Sequence, residues 1–185
     1  MGNPRFATTS DLISSFPSAA IFLRDQGSSE GSLSYVERRV AENRLDLALT
    51  CCAFLLPRRE AVWWGCQCMA DVEALNGTER DCLRLARDWA QRPDEARRRL
   101  ALEKGLSSSN EFSGTWMALA AGRSGGNIAP AGVEPAAADP AATAEAVRAA
   151  LLSASTRVAH EKRDAIMKKW VTLALSHIES AVEFR

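Results

Sequence analysis

The chain has 185 residues, 46% hydrophobic and 25% charged, with 23 basic side chains balanced by 23 acidic ones. That is enough polypeptide to bury a core without disulfides or a structural metal, and zero net charge removes any global electrostatic reason to seek nucleic acid or an anionic membrane. No apolar run approaches the ~20 residues that span a bilayer, and residues 1–10 lack the basic start and apolar stretch of a secretory signal.

The first 32 residues are Ser-rich. Ser10 and Asp11 predict the cap of a short helix running to Phe16 and stopped by Pro17. Ser18 to Gln26 is a second short helix, and Gly27 to Gly31 a loop. One long helix is predicted from Ser34 to about Leu56. Ser34 and Glu37 form a capping-box pattern, and Leu45, Ala48, Leu49, Cys52 and Leu56 recur at helical spacing. Pro57 opens a helix to about Leu75, with Val62, Trp63, Cys66, Met69 and Ala70 as its apolar face. Asn76-Gly77 supplies left-handed residues to end it. Thr78 with Asp81 caps the next helix, striped by Cys82, Leu85, Ala86 and Trp89.

Pro93-Asp94-Glu95 starts another helix, ending at Gly105, and Glu111 to Ala121 is a shorter one with Phe112, Trp116, Met117, Leu119 and Ala120. Gly122 to Pro140 is Gly-, Ala- and Pro-rich and reads as a flexible linker. From Ala141 to about Glu183 the chain is helical again. Val147, Leu151, Ala154 and Val158 begin a stripe that Ile166, Trp170, Leu173, His177, Ala181 and Phe184 continue. One long helix, or two with a break near 153–157, both fit. The expected fold is all-α. An irregular bundle of five to seven helices (1–121) is centred on the Trp63/Cys66/Met69 helix. The linker (122–140) follows, and then a C-terminal helical segment (141–185) that packs on the bundle or on a partner.

Little in the chain carries chemistry. Five cysteines, Cys51, Cys52, Cys66, Cys68 and Cys82, fall within predicted helices, so reduced, buried thiols and a cytoplasmic location are expected. Cys66 and Cys68 point about 200° apart on a helix, whereas structural zinc usually takes a C-x-x-C pair, twice. His160 with Asp164 has the spacing of a general-base dyad, but such pairs are more often solvated ion pairs. A Cys/His pair is the other enzymatic alternative. The basic cluster Arg92, Arg97, Arg98, Arg99 and Lys104 is interrupted by Asp94, Glu95 and Glu103, which weakens a nucleic-acid-binding alternative based on it and on Lys162 to Lys169. No phosphate loop, dinucleotide fingerprint or zinc-protease motif occurs. No catalytic residue, metal or cofactor is expected.

Binding is the better expectation. Trp63 and Trp64 lie about 100° apart on a helix, so one enters the core and the other borders it. Trp64, with Glu60 and Asp71 at i−4 and i+7, is taken as the exposed one. Candidate protein-interaction residues are Trp64, Arg97, Arg98, Trp170 and His177. Within Arg58 to Pro93, the Ala61-Val62-Trp63-Trp64 core and the following Ala86-x-x-Trp89 helix resemble an uncharacterised family of small helical bacterial proteins associated with type VI secretion spike and PAAR gene clusters. The resemblance covers about a fifth of the chain. It implies a non-enzymatic adaptor or chaperone-like accessory that loads a secreted spike or effector. The expected partner is therefore a protein, with self-association as a further option and neither nucleic acid nor membrane involved.

Overall fold

The structure is a computed structural model that describes residues 4–73, 75–130 and 132–183, with side chains as far as residue 179. The fold is all-α. Among the described residues there are ten helices and, apart from two isolated bridges, no β-structure. The helices are α1 (Thr9–Ser15), α2 (Ala19–Leu23), α3 (Ser32–Ala41), α4 (Leu45–Leu55), α5 (Arg58–Cys68), α6 (Gly77–Gln91), α7 (Glu95–Leu106), α8 (Ser113–Gly122), α9 (Ala142–Ser155) and α10 (His160–Glu183), with a 3-10 turn, Met69–Asp71, after α5. Among these residues no helix is long and apolar enough to cross a membrane. Two compact units form, Met1–Pro57 with Val158–Arg185, and Arg58–Arg157. These boundaries differ from those read at 121 and 140, because the Gly/Ala/Pro-rich stretch lies inside the second unit.

In the first unit the predicted helix from Ser34 to Leu56 is two helices. α3 starts at Ser32, so Ser34 sits inside it and forms no cap, and it ends at Ala41. Asn43 then takes a left-handed φ of 54°, a conformation Asn tolerates better than most residues. The reversal lets α4 be enclosed on every side: Leu45 and all of Leu47 to Leu55 are buried. It packs against α2, α3 and α10. Phe16 and Phe22 flank Phe54 with ring centroids 5.6 and 6.5 Å away. The Tyr35 hydroxyl donates to the Leu23 carbonyl at 2.8 Å. α1 is capped by Thr8, whose capping box with Asp11 lies two residues before the predicted cap.

α10 is a separate helix from α9, which ends at Ser155. Its buried seam is Met167, Trp170, Val171, Ala174 and Ile178. Of the predicted stripe's described members on α10, Trp170 is fully buried, and Ile166, Leu173 and His177 are half-exposed at its edge. The side chain of Ala181 and the whole of Phe184 lie outside the described residues.

The second unit is centred on α8 and not on the Trp63/Cys66/Met69 helix. α8 packs against α5, α6, α7 and α9, and Trp116 alone in it escapes burial. Its run of Gly, Ala, Ser and Thr permits this, since small side chains let helix backbones approach closely. Gly122 is the limiting case: a Cβ there would stand 2.5 Å from the Leu102 Cα of α7. Gly122→Ala is expected to cost about 1–3 kcal/mol through forced helix separation, measured as a drop in thermal midpoint. A midpoint matching wild type would show that α7 and α8 can separate freely.

Helix α6 is capped by Asn76, not Thr78. The Asn76 side chain accepts from the Glu79 N–H at 2.9 Å, and Glu79 reaches back to the Asn76 N–H at 3.1 Å. Asn76 thus opens a helix rather than closing one, because α5 and its 3-10 turn have already ended at Asp71. Glu79 itself is fully buried, and it also accepts from the Ser113 hydroxyl at 2.9 Å and from Arg157 Nη1 at 2.6 and 2.7 Å. The carboxylate therefore ties together the start of α6, the start of α8 and the end of α9.

Candidate functional site

α5 determines which tryptophan faces outward. Ala61, Trp64, Gly65 and Cys68 fill one side, and Val62, Cys66 and Met69 another. Gly65 admits Met117 and Val147, since a Cβ there would meet the Met117 side chain at 2.7 Å. The outward stripe is Arg59, Trp63, Gln67 and Ala70. Trp64 is 0% exposed, and Trp63 is the indole that reaches the surface. This reverses the expectation built on Glu60 and Asp71. Asp71 lies in the 3-10 turn, outside the α-helical register that placed it beneath Trp64.

Trp63 lines a cleft of about 320 Å³ with Arg59 and Glu60 of α5 and Ala90 and Gln91 at the end of α6. The cleft wall is held by Arg59, whose Nε donates to the Ala90 carbonyl at 2.7 Å and whose Nη2 donates to Gln91 at 3.3 Å. These are terminal carbonyls of α6, which lack partners within their own helix. One arginine thus both caps α6 and presents charge beside the indole.

Of the candidate arginines, Arg97 is half-exposed and pairs with Asp94, the N-cap of α7. The Asp94 carboxyl is held below its usual range, first by the Arg97 N–H. Arg98 is buried. Its guanidinium bonds Glu95 through Nε and Nη2, the Gly122 carbonyl through Nη1, and the Asn127 carbonyl at 2.8 Å. It holds the fold together and offers no docking surface.

With its neighbours Arg98 also contacts the segment read as a flexible linker. Arg99 Nη1 donates to the Asn127 and Ala129 carbonyls at 2.9 and 3.0 Å, and Arg58 Nη1 donates to the Ser124 carbonyl at 2.9 Å. The Asn127 side chain accepts from the Ala129 and Ala136 N–H groups, both at 2.9 Å. Backbone outside helices needs partners for its carbonyls, and here arginines supply them. The segment is a strap pinned to its own unit.

The remaining candidates separate. Trp170 is fully buried in the first unit, whereas His177 is half-buried. His160 and Asp164 are exposed, and Asp164 accepts from Asn43 Nδ2 at 2.8 Å. All five cysteines are buried and unbridged. Burial pushes the Cys52 and Cys66 thiols up to about 12, and Cys51 well above its ordinary value. These three stay protonated at neutral pH, the unreactive form. Among the described residues no three or more of His, Cys, Asp and Glu gather to hold a metal ion. The exposed face of α10 is mixed in sign, with Glu161 and Asp164 standing among Lys162, Lys168 and Lys169.

The model of a family of unknown function, DUF6931, matches residues 35–178, and the chain belongs to that family. No curated protein and no solved structure matches.

Proposed function

We propose that this member of DUF6931 is a non-enzymatic protein-interaction module that docks a partner against the Trp63 face of α5. The observation that carries this reading is the half-exposed indole of Trp63, set in a cleft between charged groups while its neighbour Trp64 is buried. Tryptophan at the centre of a preformed cleft, with arginine beside it, has the composition of a binding hot spot. The cleft is preformed because two faces of α5 are packed and Arg59 is held by α6, so little ordering is left to oppose binding.

The resemblance carried by Ala61 to Trp64 and Ala86 to Trp89 adds a role. The module acts in the cytoplasm as an adaptor or chaperone-like accessory that loads a type VI secretion spike or effector. Affinity purification of the tagged chain from its native host, followed by mass spectrometry, tests both parts. Wild type is expected to recover a spike or effector. Trp63→Ala is expected to lose about 2 kcal/mol of binding or more while keeping its thermal midpoint. Equal recovery by both forms removes Trp63 from the interface. Recovery of the chain alone, at stoichiometric self-association, replaces the adaptor reading with a homo-oligomeric one.

A further inference from the structure

The strap over 123–140 creates a second cleft, of about 320 Å³, against α7. Leu102, Leu106, Ile128 and Pro130 supply its apolar lining, and Arg99 and Glu103 are its charged members. Leu106 is 56% exposed, a large apolar side chain left to water at the edge of a concave surface.

Arg99 differs from the two arginines before it. Arg97 is paired with Asp94 and Arg98 with Glu95, whereas Arg99 has no carboxylate within ion-pair distance among the described residues. Its Nη1 is committed to the Asn127 and Ala129 carbonyls. Its Nε and Nη2 have no acceptor among the described residues. Those two N–H groups form the edge of a guanidinium that binds a carboxylate through two parallel hydrogen bonds. The two strap carbonyls hold that edge in place, so little side-chain freedom is lost when it is used.

Glu103 narrows the choice of ligand. A run of acidic side chains would meet its repulsion, whereas a single carboxylate placed at Arg99 avoids it. We propose that this cleft captures the C-terminus of a partner polypeptide, with the main-chain carboxylate on the Nε/Nη2 edge of Arg99 and an apolar last side chain against Leu102, Leu106, Ile128 and Pro130. Terminal carboxylate capture beside an apolar pocket is a general mode of peptide recognition. The site is separate from the Trp63 cleft and requires nothing of it.

Fluorescence anisotropy with the full chain tests the assignment. The probe is an N-terminally labelled hexapeptide, Gly-Ser-Gly-Ser-Val-Leu, compared with its C-terminal amide. The free acid is expected to bind at least about tenfold more tightly than the amide, as suits a charge-assisted bidentate contact. Arg99→Gln is expected to abolish that preference. Leu106→Asp, which leaves every strap hydrogen bond in place, is expected to weaken the free acid by about tenfold or more. If Arg99→Gln loosens the strap, judged by near-UV circular dichroism, the Leu106→Asp variant and the acid/amide comparison decide alone. Equal affinity for acid and amide, a preference that survives in a folded Arg99→Gln protein, or no binding of the acid up to about 1 mM would each overturn the proposal. None of these results depends on recovery through Trp63.

Discussion

Arg157→Ala is expected to destabilise the second unit by about 3 kcal/mol, because it strands the fully buried carboxylate of Glu79. Removing one partner of a buried ion pair leaves an uncompensated charge, which costs more than the pair itself contributes. The lower end of the usual range applies, since Arg157 is 29% exposed and partly solvated. Urea denaturation followed by tryptophan fluorescence reads the effect, Trp63, Trp64, Trp89 and Trp116 all lying in this unit. Glu79→Gln keeps the shape and removes the charge, so combining it with Arg157→Ala should cost less than the two changes summed. Strict additivity would show that the two residues act independently.

The same pair sets a pH dependence. Burial by itself raises the Glu79 carboxyl, but Arg157, the Asn76 N–H and the Ser113 hydroxyl outweigh it and hold it below the usual glutamate range. A carboxyl depressed in the folded state stabilises fully above its unfolded value and loses that contribution as pH falls through the folded value. Wild type should therefore lose stability on acidification below about pH 4.5, and Glu79→Gln should lose less. Parallel acid profiles for the two proteins would remove Glu79 from the acid response.

Trp170→Ala is expected to cost about 3–5 kcal/mol in the first unit. Trp170 is 0% exposed on α10, the helix that packs on the fully enclosed α4. Deleting the indole removes its buried area and leaves a cavity beside the mostly apolar α4. Faster amide exchange along α4 should accompany the loss, because α4 depends on α10 for part of its cover. A cost under about 1 kcal/mol, with α4 exchange unchanged, would mean the site collapses around the vacancy.

Much of this architecture was legible as text. The start of α7 is legible in Pro93-Asp94-Glu95, and the structure makes Asp94 its cap, a short acidic side chain accepting from a free N–H of the first turn. The start of α10 was less visible. The stripe from Val147 to Val158 runs on in register, while α9 stops at Ser155 and the next helix begins at His160. The long helix from Ser34 failed at Asn43, since a left-handed asparagine is only one of the conformations that residue adopts. Cys51, Cys52 and Cys66 were read correctly as buried thiols, because they recur among apolar neighbours at helical spacing.

The candidate site was harder to read. Trp63 and Trp64 are identical side chains one position apart, and nothing local ranks them. Arg98 looked like surface because arginine usually is, yet the carbonyls of Gly122 and Asn127 that bury it lie 24 and 29 residues away. The strap looked loose because Gly, Ala and Pro make few side-chain contacts, and the backbone acceptors that pin it are present in every residue alike.

The sequence by itself determined the helical class, most of the helix positions and the burial of the thiols, because each follows from the periodicity and caps of neighbouring residues. Only the tertiary structure decided which indole faces outward, that α4 and α8 are the two centres, and that arginines pin the segment 123–140. Periodicity sets the angle of a side chain about its own helix axis. What that angle faces depends on residues distant in the chain.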